Sequence, residues 1–103
     1  MFTEKKIIEI MLETNEELKW KYPTRLQEYK LPSGKRIDAY FENDEEILIF
    51  EAKASGESYV LEQILTYIEE LKTISDKKII GKIVGMGSKQ FDTQKYGIET
   101  DLV

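Results

Sequence analysis

Apolar residues recur at helical spacing in two stretches of the chain. The first runs from residue 3 to about residue 19, where apolar side chains come three or four positions apart and Thr3 is a plausible N-cap. The second runs from residue 60 to residue 71 and has Ser58 as its candidate N-cap. The pattern therefore predicts two amphipathic helices, each with one apolar face to bury.

Three short strand-like runs lie between these helices, at residues 25–31, 36–41 and 46–53. Pro32-Ser33-Gly34 separates the first two runs, and Asn43-Asp44 separates the second from the third. Both separators have residues typical of tight turns. Because the connections are so short, we expect the three strands to form an antiparallel meander.

A fourth strand is predicted after the second helix, at residues 79–86, with a short edge strand at residues 98–103. A helix that joins two strands usually makes a right-handed crossover, which places the fourth strand parallel to the third. The predicted fold class is therefore α/β, with an αβββαβ core whose mixed central sheet is flanked by helices. At 103 residues we expect one domain, spanning residues 1–103.

The composition limits the available chemistry. The chain has no cysteine and no histidine, which excludes disulfides, thiol catalysis, cysteine-type zinc sites and histidine-based triads. Enzyme chemistry must therefore depend on carboxylates, lysines, hydroxyls and a metal that prefers oxygen ligands. The longest apolar run has four residues, against about 20 for a membrane span, and the polar start leads us to expect no signal peptide. We expect a cytoplasmic, intracellular protein with no membrane partner.

The net charge of −5 hides an uneven distribution. Acidic residues are concentrated between positions 42 and 51, which contain no base, whereas six lysines and two aspartates lie between positions 72 and 95. An acidic centre beside a basic flank suits a metal site next to a phosphate-binding surface. The alternative is that both stretches are ordinary solvated faces.

The third strand is apolar on both faces from Ile47 to Phe50, which is typical of a central strand, and it then continues into Glu51-Ala52-Lys53. Side chains alternate along a strand, so Glu51 and Lys53 share one face. Glu-x-Lys occurs five times in this sequence, and only this copy follows a doubly buried strand. The alternative interpretation is a salt-bridged strand end.

Asp38 lies thirteen residues before Glu51, in the neighbouring strand. A hairpin that turns near Asn43 brings Asp38 back beside the end of the third strand. Two carboxylates on adjacent strands suit Mg²⁺ or Mn²⁺, and the Ala52 carbonyl is a candidate further ligand. Lys53 would then orient or deprotonate the attacking water, or neutralise charge that develops on a phosphate.

These residues resemble the signature of the PD-(D/E)XK nuclease superfamily, with Asp38 followed by Glu51-Ala52-Lys53, although Arg36-Ile37 replaces the proline that names the motif. The predicted order of elements is also similar to the core of that superfamily, so the resemblance implies a restriction-endonuclease-like fold. Gln63 and Tyr67 form a Q-x-x-x-Y pair like that of the RecB-like branch, whose spacing places both on one helix face. The alternative for this pair is a rim glutamine and a packing tyrosine.

The start of the chain resembles the nuclease domain of NucS-type (EndoMS) endonucleases, in which a glutamate of the first helix joins the metal site. The similar segments are residues 2–8 and residues 25–38, and Glu4 is the residue that matches the glutamate. An acid in a first helical turn also interacts favourably with the helix dipole, which is the alternative explanation for Glu4. The resemblance covers nearly the whole chain but only the catalytic half of such proteins.

The resemblance implies a Mg²⁺-dependent DNA nuclease that acts in DNA repair, recombination or defence against mobile elements. In it, Asp38, Glu51 and Glu4 form the acidic cluster, Lys53 assists the water, and Gln63 and Tyr67 hold the lysine or a phosphate. We expect DNA as the partner, contacted by Lys35, Arg36, Lys77, Lys78 and Lys89, and a homodimer or a larger nucleoprotein complex. The alternatives are a nuclease-fold DNA-binding or assembly subunit without turnover, and an α/β domain whose anion or metal site has another purpose.

Overall fold

Five strands form one mixed sheet, and their order across the sheet is the same as their order along the chain. The computed structural model describes residues 3–53, 59–85 and 99–102. Within these ranges the helices are α1 (Glu4–Thr14), α2 (Glu17–Lys21) and α3 (Tyr59–Ile74). The strands are β1 (Thr24–Lys30), β2 (Arg36–Glu42), β3 (Glu46–Lys53), β4 (Lys78–Gly85) and β5 (Glu99–Leu102).

The predicted strand directions are confirmed. β1, β2 and β3 pair antiparallel, and β4 pairs parallel to β3 after the α3 crossover. β5 pairs parallel to β4, as the outer strand of that side. The ends of the predicted edge strand, Ile98 and Val103, lie outside the described residues, as does the candidate N-cap Ser58.

Both predicted turns form through specific hydrogen bonds. In the β1–β2 turn, Gly34 has a φ of 94°, which a residue without a Cβ adopts readily, and its N–H donates to the Leu31 carbonyl. In the β2–β3 turn, the Asn43 side-chain oxygen accepts the N–H groups of Glu45 and Glu46 at 2.9 and 2.8 Å. These turns fix the register that brings β2 back beside β3.

The first helical stretch is two helices rather than the single one predicted for residues 3 to about 19. Thr3 caps α1 as expected, because its hydroxyl accepts the Lys6 N–H at 3.1 Å. α1 ends at Thr14 because Asn15 donates both its backbone N–H and its side-chain Nδ2 to the Met11 carbonyl. Asparagine competes with the helix for such bonds, so the chain restarts as α2 after a short break.

The sheet is covered on both faces by separate apolar clusters. α3 packs on one face, where Ile47 and Ile49 of β3 meet Ile64 and Leu71. α1 packs on the opposite face, over Leu48 and Phe50 among others. β3 is therefore buried from both sides, as its uninterrupted apolar run predicts.

α3 approaches β4 closely at Gly81. A Cβ at this position would lie 2.9 Å from Cδ1 of Ile68 and 3.1 Å from Cδ1 of Ile64. Because glycine has no Cβ, α3 can pack closely against β4 at this position.

The end of the sheet where β3 begins is closed by ion pairs. Lys21 lies 3.0 Å from Glu46, and Lys77 Nζ lies 2.7 Å from Glu42 Oε2. Trp20, on α2, is 86% exposed.

None of the helices in the described ranges has the length and apolar character needed to cross a bilayer.

Candidate active site

The opposite end of the sheet, where β2 begins and β3 ends, is here called the site end. Glu51 lies there on β3, with only 4% of its surface exposed, and its alternation with Ile47 and Ile49 directs it to the α3 face. A carboxylate is rarely buried to this degree unless neighbouring groups compensate its charge. The contacts of Glu51 are therefore informative.

Asp38 and Glu51, here called the carboxylate pair, bind the backbone of each other's strand. The β2–β3 ladder ends at the pair Ala39 and Phe50, so Asp38 and Glu51 would come next. Instead of continuing the ladder, the Asp38 N–H donates to Glu51 Oε1 at 3.1 Å, and the Ala52 N–H donates to Asp38 Oδ2 at 2.8 Å. The two carboxylates thus replace main-chain acceptors where the strands separate, which holds them side by side.

Tyr67 of α3 lies within electrostatic range of this pair, and Gln63 is hydrogen-bonded to Tyr67. Tyr67 is buried, and burial together with the negative charges of Glu51 and Asp38 raises its pKa to about 12, although a hydrogen bond with the Gln63 side chain acts in the opposite direction. The phenol consequently remains protonated at neutral pH and can donate a hydrogen bond. The structure therefore places Asp38, Glu51 and Tyr67 near one another, with Gln63 bound to Tyr67.

Glu28 of β1 lies across from Asp38 on the other side of β2. The β1–β2 register includes Gln27 with Ala39 and Tyr29 with Ile37, but not Glu28 with Asp38. Glu28 has a φ of 52°, in the left-handed region that non-glycine residues seldom adopt. The ladder is thus interrupted on both sides of Asp38, which opens the sheet around this carboxylate.

Two further predicted residues, Lys53 and Glu4, are placed by their backbone alone, and a third, Ala52, is described in full. Lys53 is the last residue of β3 and pairs with Gly85, and Glu4 is the first residue of α1, but their side chains lie outside the described part of the structure. The Ala52 side chain packs in the apolar cluster beneath α1, while its N–H serves Asp38. The roles of these residues stay predictions.

The basic residues divide between the two ends of the sheet. Lys35 and Arg36 are exposed and immediately precede Ile37-Asp38, at the site end. Lys78 pairs with Glu46, five residues along the strand from the level of Glu51, or roughly 16 Å away.

Lys77, next to Lys78, is bound to Glu42 and to the Asn43 carbonyl. Lys77 and Lys78 therefore lie where β3 begins, at the opposite end of the sheet from the carboxylate pair, and their contact with DNA stays a prediction. Lys89 lies outside the described residues.

The donor set fits a magnesium-type ion. Mg²⁺ is commonly held through one or two carboxylates, and its remaining positions go to water and substrate phosphate. A carboxylate has about four lone-pair sites, so accepting one N–H does not exhaust it. Among the described side chains no group of three or more acidic ligands comes together, so a metal here would rest on the carboxylate pair.

Sequence reasoning missed one part of the surroundings. Lys5, Ile8, Gln27 and Glu28 line a cleft with Asp38, on the α1 side of the sheet. Glutamate has no preference for left-handed backbone, so nothing in the sequence indicates the turn of the chain at Glu28 that helps to form this cleft.

Comparison with known proteins gives one informative likeness. The sequence matches no family model, and no curated protein matches it. The structure is similar to that of a repair endonuclease from Pyrococcus abyssi, with a TM-score of 0.76 and 17% sequence identity. The match covers 100% of this chain and 47% of that one, so this chain spans about half the length of the endonuclease. The predicted restriction-endonuclease-like fold, a mixed sheet flanked by helices, is thereby confirmed.

Proposed function

We propose that this chain is a metal-dependent DNA nuclease that hydrolyses phosphodiester bonds, with a role in DNA repair, recombination or defence against mobile elements. The observation that carries the proposal is the carboxylate pair, held across the end of a central strand, with the buried Tyr67 close enough for the two negative charges to raise its pKa. The fold likeness to a repair endonuclease supports the same conclusion.

In this proposal Asp38 and Glu51 hold Mg²⁺ or Mn²⁺, with the Ala52 carbonyl as a further ligand. The bound ion would supply Lewis-acid stabilisation of charge on the phosphate. Lys53, beyond Glu51 on the same strand, orients or deprotonates the attacking water, and Glu4 completes the acidic cluster. Tyr67, because its high pKa keeps it protonated, donates to a phosphate or positions Lys53 together with Gln63.

Contact with the DNA backbone is assigned to Lys35 and Arg36. Both are exposed, Lys35 at the end of the β1–β2 turn and Arg36 as the first residue of β2, whereas Lys77 is occupied by Glu42 at the other end of the sheet. Specific protein–DNA contacts usually bury about 1,000 Å² or more of protein surface. We therefore propose that a homodimer or a larger nucleoprotein complex supplies the rest of the DNA-binding surface.

The test uses labelled single-stranded, duplex, mismatched, flap and branched DNA, with and without Mg²⁺ or Mn²⁺. Asp38→Asn and Glu51→Gln should reduce cleavage by about 10²-fold or more, because a neutral amide is a poorer cation ligand and does not compensate its charge. Both replacements retain an oxygen that can accept the backbone N–H of the neighbouring strand, so the fold should survive. Asp38→Ala leaves the Ala52 N–H unpaired and should cost about 1–3 kcal/mol of stability.

Glu45→Gln is the matched control, since Glu45 is an exposed carboxylate in the β2–β3 turn at the other end of the sheet. Its cleavage rate should equal that of the wild-type chain. Normal turnover by Asp38→Asn or Glu51→Gln would refute the assignment.

A second candidate function is a nuclease-fold DNA-binding or assembly subunit without turnover. The observation that favours it is that Asp38 and Glu51 each satisfy a backbone N–H, so they have a structural use even in a protein that cleaves nothing. Metal-independent DNA binding by the wild-type chain, without cleavage of any of the five substrates, would support this function over the first.

A further inference from the structure

A cleft of about 200 Å³ opens beside Asp38 on the α1 side of the sheet. The first two turns of α1 contribute Lys5 and Ile8 to its walls, and β1 contributes Gln27 and Glu28. Small-molecule pockets usually measure roughly 300–1,000 Å³, so this cleft has room for part of a nucleotide and not for a larger ligand. Because Asp38 belongs to both, the cleft is continuous with the carboxylate pair.

The interruption of the sheet at Glu28 creates this opening. A regular β1–β2 ladder would pair Glu28 with Asp38, but the left-handed backbone at Glu28 removes that pair and leaves the residue exposed. Asp38 is thereby reachable from the α1 side of the sheet.

The charges along the cleft are separated. Lys5, on α1, is exposed, and among the described residues it has no ion-pair partner, whereas the neighbouring Lys6 lies 3.7 Å from Glu9. Glu28, on β1, places a negative charge on the opposite wall. A phosphate in the cleft would therefore be attracted to the Lys5 wall and repelled from the Glu28 wall.

We propose that this cleft is a nucleotide subsite that positions the DNA strand next to the scissile phosphate. Lys5 binds the adjacent phosphate, while Gln27 and Glu28 lie along the base and Glu28 accepts a hydrogen bond from an exocyclic amino group. The inference rests on the proposed nuclease function and adds to it a positioning cation and a source of base preference.

The experiment compares Lys5→Ala with Lys6→Ala, since the two lysines are adjacent on α1 and only Lys5 lines the cleft. With Mg²⁺ present, Lys5→Ala should raise KM for DNA about tenfold and leave kcat within about twofold, because the lost contact lies outside the reacting group. It should also lower the salt slope of DNA binding by about one unit. Lys6→Ala should match the wild-type chain in all three measurements.

A second measurement addresses Glu28. On a substrate library randomised at the nucleotides beside the cleavage site, the wild-type chain should favour bases with an exocyclic amino group at one position. Glu28→Gln should flatten that preference, since the amide both donates and accepts.

The outcomes separate the two proposals. If the wild-type chain cleaves DNA while Lys5→Ala and Lys6→Ala behave alike, the subsite is refuted and the nuclease function stands. A uniform library profile for the wild-type chain would refute the role of Glu28. If the wild-type chain cleaves no DNA with either metal, the nuclease function fails and the subsite, which rests on it, fails too.

Discussion

Glu28 has a backbone conformation that costs an L-residue with a Cβ about 1–2 kcal/mol. Its neighbours along β1, Gln27 and Tyr29, still pair with β2, so the surrounding ladder holds this conformation in place. Strained residues of this kind cluster at functional sites. At Glu28 the strain coincides with the opening of the sheet beside Asp38.

We predict that Glu28→Gly is more stable than Glu28→Ala. Both variants lose the carboxylate, but only alanine keeps the Cβ that disfavours a positive φ. After the greater flexibility of unfolded glycine is deducted, the difference should be about 0.5–1 kcal/mol, or a few degrees in Tm. Thermal unfolding of the two variants measures it. An alanine variant as stable as the glycine variant would show that β1 relaxes to a regular ladder.

For individual residues, the sequence predicted which side chains come close together but not which hydrogen bonds they make. The proximity of Asp38 to Glu51 follows from the turn at Asn43, which sets the β2–β3 register. The sequence does not predict that each carboxylate accepts a backbone N–H of the other strand, because these hydrogen bonds depend on where the two strands separate. Mutual repulsion alone would predict that removing either carboxylate stabilises the apoprotein, whereas the hydrogen bonds oppose this.

Among the elements, β3 was the easiest to predict and the first helix the hardest. An apolar run covered on both faces leaves only a central position for β3. The first helix could not be divided correctly because its apolar spacing continues across Asn15, and periodicity does not report the side-chain bond that ends α1. Lys77 and Lys78 lie far from the carboxylate pair for a topological reason: a parallel crossover returns the chain to the beginning of the neighbouring strand.

The contact between α3 and β4 gives a prediction for Gly81. Gly81→Ala would bring its Cβ to 2.9 Å from Ile68 Cδ1, so α3 must shift or Ile68 must change rotamer, at a cost of about 1–2 kcal/mol. Ile68→Val removes that methyl group and should cost about 0.5–1.5 kcal/mol by itself.

The double variant should lose less stability than the sum of the two single variants, because the valine makes room for the alanine. Chemical denaturation of the four proteins completes the cycle. Strict additivity would mean that Ile64 Cδ1, 3.1 Å from the same position, limits the approach instead.

Across the whole molecule, ionisable groups set the pH range over which the fold is most stable. The pKa of Glu42 is lowered by Lys77, that of Glu46 by Lys21, and that of Glu70 by hydrogen bonds from Ser33. Burial raises the pKa values of three tyrosines, Tyr22, Tyr40 and Tyr67. The chain has no histidine or cysteine, so few side chains titrate between the pH range of the carboxyl groups and that of the tyrosines.

We therefore predict a Tm that is nearly constant between about pH 5 and pH 9 and falls on both sides. A lowered carboxyl pKa stabilises the fold above the ordinary value of 4.5, and this stabilisation is lost as the pH falls through the folded value. A raised tyrosine pKa stabilises the fold below the ordinary value of 10.0, and this stabilisation is lost as the pH rises from there.

Circular dichroism melts from pH 2 to pH 11 test the profile. Lys77→Met should make the decrease of Tm in acid shallower, because without Lys77 the ionised Glu42 stabilises the folded state less. A marked change in Tm between pH 6 and pH 8 would contradict the assignment of the pH dependence to these carboxyl groups and tyrosines.

Trp20, the single tryptophan of the chain, is 86% exposed on α2. Its indole is surrounded by water in the folded protein much as it is in the unfolded one, so its fluorescence should change little when the chain unfolds. The same exposure makes the indole responsive to anything that covers α2. α2 lies at the end of the sheet where Lys21 meets Glu46, away from the carboxylate pair. Tryptophan emission is thus an optical probe of docking at that end and a poor probe of folding.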